Sequence, residues 1–162
     1  MNKLIENWIK ERTHEKRGLY LFGTTGTGKT HNLKILLELN KKKQNNIHMY
    51  TVPELLNKIA LLRLEMSNDT CQFRRNASLI NQILSGKRPL ILDDIGTETL
   101  SERKIEDLYT LINNMYENKT TLIVSSNLSL PELERKLGDR ICSRIAGMCH
   151  IVELSGEDKR FK

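Results

Sequence analysis

Long apolar segments are missing from this sequence of 162 residues. No run of about 18 apolar residues is present, so we predict no transmembrane helix and no membrane partner. Residues 1–10 include Glu6 and lack an apolar run followed by a small-residue cleavage site, which is not typical of a signal peptide. We therefore expect a cytoplasmic protein.

Cysteine and aromatic residues are also scarce. The three cysteines, Cys71, Cys142 and Cys149, form no C-x-x-C pair, which favours a reducing compartment and argues against a zinc site. We interpret them as small buried side chains. Aromatic residues make up only 5% of the chain, which argues against a platform for stacking single-stranded bases.

The charge balance is basic, with a net charge of +6. A basic domain mildly favours a nucleic-acid partner. Solvated lysines such as Lys41, Lys42 and Lys43 would produce the same charge without any partner, so this alternative stays open.

Internal repeats and low-complexity linkers are absent, and a hydrophobic content of 38% suits a single domain over residues 1–162. Short apolar runs alternate with segments of helical periodicity, which predicts βαβ units and a mainly parallel sheet of five strands. The predicted strands are 18–22, 47–52, 89–95, 120–125 and 150–154. The predicted helices are 2–12, 29–43, 53–66, 71–85, 101–117, 131–137 and 139–145.

A glycine-rich loop between the first predicted strand and the helix after it fits the pattern G-x-x-x-x-G-K-[ST] in full. Its glycines allow backbone N–H groups to converge on phosphate oxygens, and the helix N-terminus attracts the same anion. We expect Lys29, a surface-facing charge, to reach the β- and γ-phosphates of ATP and Thr30 to bind Mg²⁺. A glycine turn without a ligand is the alternative. The residues expected to bind the cofactor ATP are Gly23, Thr24, Thr25, Gly26, Thr27, Gly28, Lys29, Thr30 and His31.

An acidic pair closes the apolar strand 90–92. Charges at such a place are costly unless they are solvated or used. We expect Asp93 to hold Mg²⁺ and Asp94 to accept a proton from the attacking water. A solvated turn after a buried strand is the alternative.

Two further features follow in the chain. Asn127 ends the strand-like segment 121–127, and the carboxyl ends of parallel strands line the ligand crevice, so Asn127 could contact the γ-phosphate or orient the water. Arg140 and Arg144, four residues apart, share one helical face, and a guanidinium suits the charge of a transferring phosphoryl group. An ordinary turn and a solvated helix, respectively, would carry the same residues.

These elements, in this order, resemble the AAA+ ATPases. More narrowly, residues 18–160 resemble the DnaC/DnaI-type helicase loaders and the related IstB-type transposition helpers. The resemblance rests on GTTGTGKTHNL (23–33), LILDDIGTE (90–98), LYTLINNMYENKTTLIVSSNLSLPEL (108–133) and KLGDRICSRIAGMCHIVELSGEDKR (136–160). It implies a P-loop α/β fold with helices on both faces of a five-stranded parallel sheet and without a full helical lid.

The resemblance also implies roles for individual residues. Asn127 matches sensor 1, and Arg144 matches the arginine finger, which acts on ATP held by a neighbouring subunit. Arg160 matches the sensor-2 arginine, which reaches ATP in its own subunit. Residues 53–85 match a loader-specific insertion that faces single-stranded DNA, although a solvated basic face is an equal alternative. The candidate DNA-binding residues there are Lys58, Arg63, Arg74 and Arg75.

Three departures from the family pattern affect the expected function. Only 22 residues precede Gly23, so we expect the N-terminal client-binding domain to be absent or encoded separately. Asp94 stands where many AAA+ proteins have Glu, and its shorter side chain favours slow turnover. We expect no helical lid, because no residues follow Lys162 in this sequence.

The resemblance implies an ATP-dependent switch that forms a homo-oligomer on single-stranded DNA and helps place a replicative helicase. Hydrolysis of Mg·ATP would be slow and stimulated by DNA. An IstB-like helper, with a transposase as client, has the same core and stays open. A small-molecule P-loop kinase is less favoured, because no acceptor pocket or arginine-bearing lid is evident. An ATP-gated module without hydrolysis is the remaining alternative.

Overall fold

The computed structural model describes residues 3–11, 17–42, 46–64 and 71–156. The helices are α1 (Lys3–Glu11), α2 (Lys29–Lys42), α3 (Val52–Leu64), α4 (Cys71–Leu84), α5 (Glu102–Glu117), α6 (Leu130–Leu137) and α7 (Asp139–Met148). The strands are β1 (Gly18–Phe22), β2 (His48–Thr51), β3 (Leu90–Ile95), β4 (Leu122–Ser126) and β5 (Cys149–Glu153).

The five strands form one parallel sheet in the order β2-β3-β4-β1-β5. β1, which leads into the glycine loop, lies between β4 and β5. The acidic strand β3 is on the other side of β4. Because all strands are parallel, their carboxyl ends lie at one edge of the sheet, where the glycine loop after β1 meets the polar residues of β3 and β4.

Helices cover both faces of the sheet, as predicted. Successive side chains of a strand point to opposite faces. Leu19 and Leu21 of β1 pack in a cluster with residues of α1 and α2, whereas Tyr20 joins a larger cluster with residues of α3 to α7. The Nε1 atom of Trp8 donates a hydrogen bond of 2.9 Å to the carbonyl oxygen of Gly18, which ties α1 to the start of β1.

Every predicted helix and strand is present, and the errors lie at the ends. The fourth strand begins at Leu122 rather than at Thr120. The backbone N–H of Thr120 donates to the carbonyl oxygen of Met115 at 2.9 Å, so this residue completes the end of α5 instead of joining the sheet. The last helix continues to Met148, three residues beyond the prediction. The predicted end of the helix 53–66 lies outside the described residues.

Two of the cysteines are buried free thiols, as predicted. Cys142 and Cys149 are 2% and 0% exposed. Burial raises the pKa of the Cys142 thiol to about 11, so this group stays a neutral apolar side chain. The side chain of Cys71 lies outside the described part. Among the described residues, no helix has the length and apolar character needed to cross a membrane.

Candidate nucleotide-binding site

The glycine loop connects β1 to α2 and is shaped by its glycines. Gly26 and Gly28 have φ angles of 84° and 90°, which side-chain-bearing residues rarely adopt. At Gly23 a Cβ atom would lie 2.2 Å from the carbonyl oxygen of Leu154, the residue after β5, so the loop can pass this residue only without a side chain there. The loop therefore follows a path that other residues would block.

Hydrogen bonds within the loop hold this path. The Oγ1 atom of Thr27 donates to the carbonyl oxygen of Thr24 at 2.9 Å. The Nδ2 atom of Asn32 donates to the carbonyl oxygen of Gly28 at 2.9 Å, and both side chains are buried. Sequence reasoning gave Asn32 no role; its position in the first turn of α2, one turn after Gly28, was the available signal.

Lys29 is not the surface-facing charge that the sequence predicted. Its side chain folds back over the loop and is only 7% exposed. The Nζ atom donates to the carbonyl oxygens of Gly23 and Thr24 at 2.7 and 2.9 Å. An ammonium group can be buried when such acceptors surround it. The carbonyl oxygens of the loop therefore stabilise the buried cation of Lys29.

Thr30 and Asp93, the predicted Mg²⁺ ligands, lie together. The Oγ1 atom of Thr30 donates to Oδ1 of Asp93 across 3.4 Å. Asp93 belongs to β3 and is 7% exposed. Oxygen atoms are the ligands that Mg²⁺ prefers, and Mg²⁺ completes its shell with water and phosphate oxygens. A hydroxyl and a buried carboxylate beside the glycine loop therefore fit that ion.

Ser125 links the two aspartates and was not singled out from the sequence. Its hydroxyl donates to Oδ1 of Asp93 and accepts a hydrogen bond of 3.0 Å from the backbone N–H of Asp94. The next residue, Ser126, donates to the carbonyl oxygen of Ile95 at 2.7 Å. Two serines at the end of an otherwise apolar strand were the signal, but their partners depend on the register of β4 against β3.

Asp94 lies at an irregularity in β3, where the pairing with β4 shifts between Leu92 and Ile95. Its φ angle of 67° is in the left-handed region, and the residue is exposed. Partial desolvation of its carboxyl group, followed by the negative charge of Asp93, raises its pKa, while Lys29 opposes the shift. A raised pKa suits a carboxylate that accepts a proton.

Asn127 follows β4 and lies within reach of Asp94. Its Nδ2 atom donates to Oδ1 of Asp94 across 3.4 Å. The hydroxyl of buried Tyr20 donates to the carbonyl oxygen of Leu128 at 2.8 Å, which holds the segment after β4 in place. Burial raises the pKa of Tyr20 to about 12, so the hydroxyl keeps its proton at physiological pH.

A cavity of about 490 Å³ lies between the glycine loop, Asp94 and Asn127. Its size is within the range of sites that hold a small organic ligand, roughly 300–1,000 Å³. The loop, the acidic strand and Asn127 come together as predicted. The lining residues are Thr25, Gly26, Gly28, Lys29, Thr30, His31, Asp94 and Asn127.

Arg140 and Arg144 are not among the residues that line this cavity. Arg144, in α7, contacts α5: its Nε atom donates to Oδ1 of Asn113 at 3.1 Å. The guanidinium carbon of Arg140 lies 4.1 Å from the ring centroid of Tyr109. Arg160 lies outside the described residues.

The candidate DNA-binding residues belong to α3 and α4. The Nζ atom of Lys58 lies 3.9 Å from Oε1 of Glu54. Arg63 donates two hydrogen bonds, of 2.7 and 2.6 Å, to Asp107 of α5, and these bonds raise its pKa. The side chains of Arg74 and Arg75 lie outside the described part, although their backbone belongs to α4.

Comparisons with known proteins agree with the site. A family model described as "IstB-like ATP binding protein" matches residues 7–162. The replicative helicase loader DnaI of Bacillus subtilis is 27% identical over 91% of this chain and 49% of its own length. An insertion-sequence ATP-binding protein of Sinorhizobium fredii is 29% identical over 88% of this chain and 56% of its own length. The chain thus spans about half the length of these curated relatives.

Solved structures show the same fold. The crystal structure of the DnaC helicase loader aligns with a TM-score of 0.76 at 24% identity, covering 94% of this chain and 87% of that one. The replication initiator DnaA, bound to AMPPCP and single-stranded DNA, aligns with a TM-score of 0.75 at 19% identity, covering 98% of this chain and 47% of that one. At these identities the likeness establishes the P-loop AAA+ fold.

Proposed function

The chain belongs to the IstB-like ATP-binding protein family, and from that premise we propose that it hydrolyses Mg·ATP, assembles on single-stranded DNA and helps place a replicative helicase. The observation that carries the hydrolytic part is the convergence of Thr30, Asp93, Asp94 and Asn127 at the glycine loop. Loop residues alone would explain binding. A carboxyl with a raised pKa beside the buried carboxylate also supplies a base.

The residues divide the work of the reaction. Backbone N–H groups of the loop and the Lys29 ammonium bind the phosphates. Thr30 and Asp93 would hold Mg²⁺, which neutralises charge on the phosphate oxygens. Asp94 accepts a proton from the attacking water, and Asn127, 3.4 Å from that carboxylate, orients the water. Arg144 acts on the nucleotide of a neighbouring copy.

The DNA and helicase parts of the proposal rest on the relatives and on charge. The net charge of +6 favours a phosphate backbone as partner. Relatives include a replicative helicase loader and an initiator whose structure contains single-stranded DNA. We propose that residues 1–162 act as one AAA+ domain and that α3 and α4 face the strand.

A transposition helper is the second candidate function. The family description and the insertion-sequence relative favour it. The two functions differ only in the client, so a pull-down of purified protein with ATP decides between them. Retention of a purified replicative helicase and not of a transposase supports the loader, and the opposite result supports the helper.

A turnover assay tests the proposal directly. We expect ATP hydrolysis that rises when single-stranded DNA is added. Lys29→Ala should bind ATP at least tenfold more weakly, because the phosphates lose their cation. Lys34→Ala, which removes an exposed lysine from the same helix, is the matched control and should bind normally.

Each unexpected result of this assay has a distinct meaning. Equal ATP affinity in Lys29→Ala and the wild type would contradict the site. Tight ATP binding without turnover, with or without DNA, would leave the ATP-gated module as the function.

A further inference from the structure

Helices α5 and α7 pack side by side and bring two sets of residues together. α7 carries Arg140 and Arg144, four residues apart. On α5, Tyr109, Asn113 and Tyr116 follow each other at intervals of one helical turn, which places them on one face. The contacts between the two sets identify this as the face that α5 turns toward the arginines.

Arg144 is held from three sides. Its Nε–H donates to Oδ1 of Asn113 at 3.1 Å. Its guanidinium carbon lies 5.8 Å from the ring centroid of Tyr116 and 5.9 Å from that of Tyr109, distances at which a cation is attracted to an aromatic ring. Within the described residues this is the one hydrogen bond of Arg144, so the donors on its two terminal nitrogens remain for a ligand.

Gly147 allows this arrangement. A Cβ atom at that position would lie 2.8 Å from Cε2 of Tyr116. The Tyr116 ring would have to move away from α7, and Arg144 would lose its contact with that ring. The absence of a side chain at residue 147 therefore supports the position of the guanidinium.

We propose that Asn113 is a positioning residue for the arginine finger, which orients Arg144 toward the nucleotide of a neighbouring copy. The inference rests on the proposed trans role of Arg144. The residue type fits the task, because an amide oxygen orients a guanidinium without neutralising it, whereas a carboxylate would form an ion pair and cancel the charge that the phosphoryl group requires.

The single variants give the first readout. Asn113→Ala should bind ATP as the wild type does and lose about 10- to 100-fold in kcat, since an error of about 1 Å in a reacting group costs roughly 10² in rate. Asn113→Asp should keep the contact and the fold and still lose activity, because the new carboxylate forms an ion pair with Arg144 and cancels its charge. Full activity in Asn113→Asp would overturn the proposal.

A neighbouring asparagine provides the structural control. The Nδ2 atom of Asn114 donates to the carbonyl oxygen of Leu84 at 2.7 Å and does not contact Arg144. Asn114→Ala should lower Tm without a selective loss of kcat. If Asn113→Ala lowers Tm by the same amount and kcat is no lower than in Asn114→Ala, Asn113 is structural only.

Mixing experiments separate a defect in the finger from a defect in the ATP site. Lys29→Ala has an intact finger, so its addition to Asn113→Ala should restore turnover in hybrid interfaces. Addition of Arg144→Ala should restore nothing, because neither partner then offers a well-held finger. Arg144→Ala mixed with Lys29→Ala is the reference pair and should recover.

The mixtures also distinguish the two possible failures. If the reference pair recovers and Asn113→Ala with Lys29→Ala does not, Asn113 does not act through the finger and the trans role of Arg144 stands. If the reference pair fails to recover at concentrations where the wild type assembles, the trans role itself is wrong, and the inference falls with it.

Discussion

Asp94 has a φ angle of 67°, in the left-handed region of backbone space. For a residue with a side chain this conformation costs about 1 kcal/mol, although aspartate and asparagine tolerate it better than others. The carboxyl group also has a raised pKa, so its charged form is less favourable in the folded state than in the unfolded state. Both features lower the stability of the fold and fit the catalytic role proposed for Asp94.

Asp94→Asn should therefore separate stability from hydrolysis. Hydrolysis should fall on the order of 10²- to 10⁴-fold, the usual contribution of a general base, while Mg·ATP binding remains. At pH 7 the variant should have a higher Tm than the wild type, because the unfavourable carboxylate is gone. Thermal unfolding and turnover assays, each with purified protein, measure the two effects.

The direction of the pKa shift of Asp94 determines how the difference in Tm between Asp94→Asn and the wild type changes with pH. A carboxyl with a raised folded-state pKa destabilises the fold above that pKa, and the cost is relieved as pH falls through it toward the unfolded value. The gain in Tm of Asp94→Asn should thus shrink on acidification. A variant that is less stable at pH 7 would show that the carboxylate is structural. Normal hydrolysis in Asp94→Asn with none in Asp93→Asn would mean that the two roles are reversed.

At the level of elements, the basic residues Lys58 and Arg63 of α3 differ in what they contact. Arg63 makes two hydrogen bonds to Asp107, whose side chain is only 12% exposed. A guanidinium held this way joins α3 to α5, and DNA would have to compete with a carboxylate for it. Arg63 thus has a structural function that the sequence did not reveal.

Single-stranded DNA binding should depend on Arg74 and Arg75 together. Each phosphate contact contributes about −0.7 to the slope of log K against log salt, so Arg74→Ala with Arg75→Ala should reduce the slope by about 1.4. Lys41→Ala with Lys42→Ala, an equal loss of charge at the end of α2, is the control. Arg63→Ala should lower Tm and change the slope little. An unchanged slope in the α4 double variant would place the DNA elsewhere.

The helices, the strands and the motifs of the candidate site could largely be predicted from the sequence. The hydrogen-bond partners of the side chains could not. The order of the strands along the chain and the loop 23–30 follow from periodicity and spacing, which are local. The contact of Ser125 with Asp93 depends on which residues of β4 and β3 face each other. The burial of Lys29 depends on carbonyl groups that converge only once the loop is folded.

At the scale of the whole molecule, the cavity at the glycine loop and the contacts of Arg144 involve different residues. Contact between one copy's arginine and another copy's nucleotide is head-to-tail, and such contacts produce rings or open helices rather than closed two-fold dimers. The proposed ATPase therefore needs a neighbour on each side, except at the ends of an open assembly.

We expect a monomer or a weak oligomer without nucleotide and larger assemblies with ATP and single-stranded DNA. Sedimentation velocity with a slowly hydrolysed ATP analogue measures this. Arg144→Ala should bind ATP and hydrolyse it poorly, since an arginine finger contributes roughly 10³- to 10⁵-fold to the rate. A wild-type protein that stays monomeric with both ligands while it hydrolyses ATP at its full rate would contradict the assembly.

The position of β1 between β4 and β5 has a consequence for synthesis on the ribosome. Leu19 pairs with Ile123, and Gly18 pairs with Cys149, so the strand before the glycine loop finds its neighbours only after most of the chain has emerged. Pairings between such distant residues form late, because a long loop must close first. Gly23 itself packs against Leu154. A nascent chain stopped before Cys149 displays the whole glycine loop and still lacks β5, one of the two strands beside β1. We therefore expect ATP binding to report that folding of this domain is complete.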